Sequence, residues 1–170
     1  MRAFVVSLAL TLATLVVAPQ SFAQSAAAPG ANMMKTFASS SDVAGLIAKA
    51  RADRKEGQAT VSEPIMRLAP YNVNLEYRTA VAPAALHEKD AEMFYVIDGS
   101  ATMVTGGKLV DEKRTNEANL SGSSIEGGLS RKIGKGDFIF VPENTPHGFS
   151  SIDGTLIVMT FHVPRAAPGH

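Results

Sequence analysis

The sequence lacks cysteine and tryptophan, and it has few aromatic residues. Its 170 residues include no Cys and no Trp, and aromatic side chains make up 6% of the chain. Without cysteine the chain has no disulfide, no thiolate nucleophile, no iron–sulfur cluster and no Cys-type zinc site. A bound metal must therefore be held by histidine, aspartate, glutamate or backbone oxygen.

A surplus of charge of either sign is also absent. The 16 Lys and Arg residues balance 16 Asp and Glu residues. Binding to a phosphate backbone needs an excess of basic residues, so we expect a small-molecule ligand or substrate and no nucleic acid. The 45% content of hydrophobic residues suits one globular domain.

The chain begins with a pattern that is typical of a secretory signal peptide. Arg2 precedes an apolar run over 3–18, Pro19 ends the run, and small residues follow at Ser21 and Ala23. The run is shorter than the roughly 20 residues that span a bilayer as a helix. We expect residues 1–23 to be a signal peptide cut after Ala23. The expected location is then periplasmic or secreted, with no stable membrane span after processing; an uncleaved anchor is the alternative.

Residues 24–60 predict a tether followed by a short helix. The tether over 24–32 is rich in Ala, Ser, Pro and Gly. Ser41 and Asp42 open the helix, and Gly57 is its expected stop. The helix is expected to pack on the outside of the domain that follows. Its apolar stripe at i, i+3, i+4 and i+7 consists of Val43, Leu46, Ile47 and Ala50.

From residue 61 the hydrophobic period becomes that of β-strands. Apolar and polar residues alternate over 71–78, and turn dipeptides such as Asp98-Gly99 separate the runs. Short strands punctuated in this way favour an all-β sandwich or barrel. Further strand candidates cover 93–97, 101–105, 130–133, 138–141 and 155–163.

The barrel domain is expected to cover 61–165, and 166–170 to form a C-terminal tail. Within the domain, residues 112–129 are polar and show little periodicity. This composition predicts a long loop.

Two histidines and one glutamate are the candidate metal ligands. His87 and Glu92 lie at the entrance of a strong strand candidate, and His147 follows a proline-containing turn. Glu92 shares its strand face with Phe94, where a carboxylate is costly unless it is paired or bound to a cation. Two histidines and a carboxylate with open positions suit Fe(II), and also Mn, Zn, Ni or Co.

The segment around His87 resembles the first signature box of the cupin superfamily. His87, Glu92 and Gly99 match that box with a four-residue spacer. The first histidine of the family's His-x-His pair would fall at Ala85, so it is missing, and the opening glycine would fall at Thr79. A three-residue spacer would instead place the histidine pair at Leu86 and Glu88, which fits less well.

The segment around His147 resembles the second cupin box. Gly136, Pro142 and His147 match it, whereas Asn144 and Ser151 replace a glycine and an asparagine. Asparagine is the residue next best to glycine in a left-handed turn. The chain is similar to small exported bacterial cupin-domain proteins of the type-2 kind.

The resemblance implies a cupin-type jelly-roll β-barrel with a short N-terminal helical arm. It also implies a divalent transition metal, Fe, Mn or Zn, inside the barrel on His87, Glu92 and His147. The missing histidine has two interpretations. Either a three-ligand site keeps more positions open for water, substrate or dioxygen, or the barrel binds its ligand without metal.

Four other residues are candidates for the pocket. His162 is either an additional ligand or, as we rather expect, a structural histidine on the last strand. Glu76 and Arg78 line a barrel mouth or face water. Glu76 and Glu88 are also candidate general bases, although no residue outside the ligand set stands out in this role.

The expected function is metal-dependent chemistry on an unidentified small molecule, of oxygenase, isomerase or lyase type. The fold alone does not choose among these reactions. The alternative is a non-catalytic periplasmic barrel that binds or senses a small ligand, with or without metal. A homodimer, with the helical arm packed against the neighbour, is compatible with both.

Overall fold

The computed structural model describes residues 35–165, which form one helix followed by β-sheets. The predicted signal peptide over 1–23, its cleavage site, the tether over 24–32 and the tail over 166–170 lie outside the described residues. Among residues 35–165, no helix is long and apolar enough to cross a membrane.

The strands are short and antiparallel throughout the described part of the chain. Tight turns with glycine at positive φ connect several of them, as at Gly99 and Gly136. The strands are β1 (Thr60–Leu68), β2 (Tyr71–Arg78), β3 (Ala84–His87), β4 (Asp90–Asp98), β5 (Ser100–Thr105), β6 (Lys108–Val110), β7 (Lys113–Arg114), β8 (Asn119–Gly122), β9 (Ser124–Glu126), β10 (Leu129–Gly134), β11 (Phe138–Val141), β12 (His147–Ile152) and β13 (Leu156–Pro164).

Two sheets face each other across a common interior. Sheet A has the strand order β1-β2-β13-β4-β11, and sheet B has the order β10-β5-β12-β3-β8-β7. β6 and β9 form a separate two-stranded ribbon. Neighbours in both sheets are mostly distant in sequence, as in the double-sheet jelly roll, and the predicted all-β class is confirmed.

The prediction of a long loop over 112–129 is wrong. This segment contains β7, β8 and β9, and β8 pairs with β3 in sheet B. The β8–β3 pairing joins segments that are remote in sequence, whereas β8 with β7 and β9 with β6 pair nearby strands. These short strands are polar and mostly exposed or half-buried, so they lack the alternation that would reveal them.

Helix α1 (Ser40–Asp53) packs on the outer face of sheet A. Ser39 caps it, and the Ser39 and Asp42 side chains form a reciprocal capping box. The helix ends at Asp53, so the stop predicted at Gly57 is wrong; Gly57 forms the turn that follows, with φ of 76°. The buried cluster between helix and sheet is Ala50, Val61, Ile65, Leu75, Tyr77 and Ile157.

The second apolar cluster fills the space between the sheets and sets the position of the site. Along β4, Glu92, Phe94 and Val96 all point into this space, in agreement with their shared parity. Phe94 and Val96 belong to the cluster. Glu92 therefore lies at the end of the interior where the apolar core stops. The other members are Ala101, Met103, Ile133, Val141, Phe149, Leu156 and Val158.

The outer face of sheet A beyond the helix keeps exposed aromatic side chains. Phe138 and Phe140 on β11 are 61% and 55% exposed, and Tyr95 lies across from Phe138 on β4. The predicted homodimer stays a prediction.

The turn between β4 and β5 requires glycine at position 99. Gly99 has φ of 85°, and a Cβ atom there would overlap the carbonyl oxygen of Thr155. Gly136 has φ of 90° but open space around its Cα. We expect Gly99→Ala to lower the free energy of unfolding by more than Gly136→Ala, which carries only the left-handed strain of about 1–2 kcal/mol. Urea unfolding of both variants measures this, and equal losses would contradict the steric argument.

Candidate metal centre

Four side chains from both sheets meet at the end of the apolar core. His87 ends β3 and His147 begins β12 in sheet B, while Glu92 and His162 lie on β4 and β13 in sheet A. His162 is directly opposite Glu92 in the β13–β4 pair. His147 is opposite Ala85 in the β12–β3 pair. The site therefore exists only where the two sheets close on each other.

Glu92 is at the centre of this group. Its Oε2 atom lies 2.8 Å from His147 Nε2 and 3.1 Å from His87 Nε2. Its Oε1 atom lies 3.5 Å from His162 Nε2. Glu92 and His147 are 5% and 4% exposed, so the centre of the group is almost closed to solvent, whereas the side chains of His87 and His162 are 16% and 23% exposed.

In two of the imidazoles, the Nδ1 atom, which points away from Glu92, is hydrogen-bonded to another protein group. His87 Nδ1 is 2.7 Å from Asn119 Oδ1, and His147 Nδ1 is 3.0 Å from the carbonyl oxygen of Thr145. Both oxygens only accept hydrogen bonds, so each Nδ1 carries a proton and donates it. This arrangement orients Nε2 of both rings toward Glu92, as in histidines that ligate metals.

The electrostatics of the site favour an ionised carboxylate. Burial alone would raise the pKa of Glu92, but hydrogen bonds from His147 and His87 outweigh it and lower the pKa to about 2. Burial also works against the charged form of His87, yet its bonds to Glu92 and Asn119 raise its pKa above the ordinary value. A metal cation can take the place of the protons that lie between this carboxylate and the surrounding imidazole nitrogens.

The donor atoms are close enough to share one ion. One donor atom each from His87, Glu92 and His162 lies within 4.8 Å of the other two. A divalent ion bonded to imidazole and carboxylate at about 2.0–2.2 Å joins donors up to roughly 4.4 Å apart, which is close to this separation. The structure thus contains a His–His–Glu group that can hold a metal, with His147 bonded to the same carboxylate.

A cavity of about 190 Å³ opens beside this group. Its walls combine the four polar side chains with two aromatic rings and a second charged pair on β2. Sheet B contributes its small residues, which leave room for a ligand. The lining residues are Glu76, Arg78, Ala82, Pro83, Ala85, His87, Glu92, Phe94, His147, Gly148, Phe149 and His162.

The structure separates the other candidate residues into two groups. His162, Glu76 and Arg78 line the cavity. Glu88 is not among the lining residues; its two carboxylate oxygens accept hydrogen bonds from the guanidinium of Arg114, 2.8 Å each, at the protein surface. That bond to Arg114 lowers the pKa of Glu88. Its position does not support the suggested role as a ligand or general base.

Sequence reasoning missed Asn119 as a partner of the site. Asn119 lies in the segment that was expected to be a loop, and it pairs with His87 across β8 and β3. The two residues are 32 positions apart, so no local pattern connects them. Only the register of β8 brings the amide to the ring.

No protein-family model matches the chain, and no curated protein matches it. Solved structures do resemble it. The iron(II) form of HppE is 16% identical, with a TM-score of 0.49 over 65% of this chain, and the match covers 54% of the HppE chain, about half its length. KdgF from Halomonas sp. is 15% identical, with a TM-score of 0.48 over 66% of this chain and 87% of its own.

A third similar structure is the cupin domain of Cnp3 from Schizosaccharomyces pombe. It is 10% identical, with a TM-score of 0.47 over 64% of this chain and 63% of that one. The strand order of the two sheets is itself that of a double-sheet jelly roll, the all-β fold that the two sequence boxes imply. Membership of the cupin superfamily and the ligand set stay predictions.

Two substitutions test the predicted ligands. We expect Glu92→Gln and His147→Ala each to lower metal affinity roughly tenfold or more, because each removes a donor from the centre of the group. Elemental analysis after equilibration with limiting metal measures the loss, and circular dichroism checks the fold. Glu88→Gln is the matched control and should keep full occupancy. Full occupancy in both ligand variants would show that the assigned site is wrong.

Asn119 provides a separate test of how His87 is oriented. Asn119→Ala removes the acceptor of the Nδ1 proton without touching a donor atom, so we expect metal affinity to fall about 10- to 100-fold. Asn119→Asp keeps an acceptor and should restore most of the affinity. If the alanine variant binds metal like the unsubstituted protein, His87 is not held by this hydrogen bond.

Proposed function

We propose that this chain binds one divalent transition metal through Glu92, His87, His147 and His162, and acts on a small molecule bound in the adjoining cavity. The observation that carries the proposal is the convergence of three imidazole nitrogens on one buried carboxylate. In His87 and His147 the other ring nitrogen, Nδ1, is hydrogen-bonded to Asn119 and to the backbone of Thr145. Such a group is costly to bury for stability alone, so a functional role accounts for it better.

The proposal gives His162 the role of a histidine that is present in the cupin pattern and missing from this chain. Ala85 stands where the first histidine of the pair is expected, and its methyl group offers no donor. His162 reaches the carboxylate of Glu92 from β13, the strand next to β4 in sheet A. The imidazole of His162 on β13 thus provides a third histidine donor, in place of the one that is missing because residue 85 is alanine.

The donor set narrows the choice of metal. Imidazole and carboxylate suit Fe, Mn and Zn, and thiolate-selective ions such as Cu(I) find no sulfur ligand among these residues. When bound, such an ion supplies Lewis-acid chemistry or, for iron and manganese, a place for dioxygen. The protein excludes bulk water, orients the ligand and limits its size to that of a small molecule.

A non-catalytic ligand-binding barrel is the second candidate. Within the described lining of the cavity, the acid–base groups besides the histidine–glutamate cluster are Glu76 and Arg78. These two are hydrogen-bonded to each other, so neither is a free proton acceptor in this arrangement. This observation favours binding without proton transfer if the metal site proves empty in the isolated protein.

Elemental analysis of the native protein tests the proposal. We expect close to one Fe, Mn or Zn per chain in protein recovered from a periplasmic fraction without chelators or nickel affinity, and a lower melting temperature after chelation. His162→Ala should lower occupancy at limiting metal. Absence of metal, even after anaerobic reconstitution with each ion, would contradict the proposal and favour the ligand-binding barrel. Recovery in the periplasmic fraction also tests the predicted export.

A further inference from the structure

The cavity has a second polar wall that the metal group does not use. Arg78 and Glu76 lie on β2 and point toward the interior, beside the metal group. We propose that Arg78 binds the carboxylate of the small molecule, so that the ligand is a small carboxylic acid held between the metal and this guanidinium. The proposal rests on the proposed function and names the chemical class of its ligand.

Arg78 is held in a fixed orientation. Its Nε and Nη2 atoms lie 2.8 and 2.6 Å from the same oxygen of Glu76, and both side chains are only 16% exposed. The guanidinium carbon lies 4.9 Å from the centre of the Phe149 ring, in cation–π contact. One edge and one face of the guanidinium are thus occupied, and its position is fixed before a ligand arrives.

The remaining edge of the guanidinium is available to a ligand. Arginine has five N–H donors in a planar fork, and Glu76 uses one edge of it through a single oxygen. Among the hydrogen bonds of residues 35–165, none involves Nη1 of Arg78. A planar carboxylate matches this fork with two parallel hydrogen bonds.

The distance to the metal group suits one small ligand. Phe149, which supports the guanidinium, is two residues after His147 on β12, a separation of roughly 7 Å along a strand. The ring of Phe94 packs edge-on against both residues, 5.9 Å from the His147 ring and 6.1 Å from the Phe149 ring. A molecule of a few carbon atoms can therefore reach the metal with one end and Arg78 with the other.

The charges favour a carboxylate over a phosphate. A divalent ion on Glu92 leaves one net positive charge at the metal, and Glu76 neutralises the guanidinium of Arg78. A dicarboxylate places one carboxylate at the metal and one at Arg78, whereas a phosphate dianion at Arg78 would be repelled more strongly by Glu76. Glu76 thus favours a singly charged, planar group at Arg78.

Binding of glutarate, its monoamide and inorganic phosphate to the cobalt-loaded protein tests the proposal. Isothermal titration measures affinity, and visible absorption of Co²⁺ reports the metal site. We expect glutarate to bind at least about tenfold more tightly than the monoamide and than phosphate, because the monoamide has one carboxylate and cannot place a charged group both at the metal and at Arg78. Equal affinity for glutarate and its monoamide, or tighter binding of phosphate, would overturn the proposal.

Variants of Arg78 separate this role from general electrostatics. Arg78→Met should abolish the preference for glutarate and leave cobalt content and absorption of the ligand-free protein unchanged. Arg67 on β1 is exposed, so Arg67→Met is the matched control and should keep the preference for glutarate. Arg78→Lys keeps the charge without the fork and should lower the preference at least threefold, which provides a second variant if the methionine protein does not fold. A full preference in a folded Arg78 variant would contradict the assignment.

The two proposals fail in different ways. If no metal binds, the proposed function fails, and the same titrations on metal-free protein still compare Arg78→Met with the unsubstituted chain. A dependence on Arg78 in that protein would support a carboxylate site in a metal-free barrel. If metal binds but glutarate affinity does not depend on Arg78, the carboxylate site alone is wrong.

Discussion

The buried carboxylate of Glu92 is the constraint on which the rest of this structure depends. A charge inside a protein must be paired or bound to an ion, since its loss of hydration costs several kcal/mol. Three imidazoles surround it here, and they come from three strands in two different sheets. The contacts of Glu92 with His87 and His147 of sheet B therefore form only when the two sheets pack against each other.

The surroundings of Glu92 divide the interior into two regions. On one side Phe94 and Val96 continue along β4 into the apolar core, which supplies stability through burial. On the other side the lining becomes polar and a cavity remains. A packed core beside a polar cavity is the arrangement that binding sites need, since rigid neighbours hold the functional side chains in place.

Much of the candidate site could be read from local patterns, and the rest could not. Glu92 was identified because a carboxylate on an apolar strand face is costly, and His87 and His147 through their positions in the two boxes. Asn119 carried no such signal, since its strand is polar and its pairing is with a distant segment. His162 was ambiguous because both faces of β13 are largely apolar, so alternation did not identify the inner face.

The sequence by itself determined the all-β class, the outer helix and the residue types able to hold a metal. Alternation, turn glycines and the absence of cysteine are local properties that act before any long-range contact forms. Only the tertiary structure decided that His162 faces Glu92, that Asn119 orients His87 and that Arg78 rests on Phe149. These contacts depend on strand register and on the facing of two sheets, which are set by the packing of the whole chain.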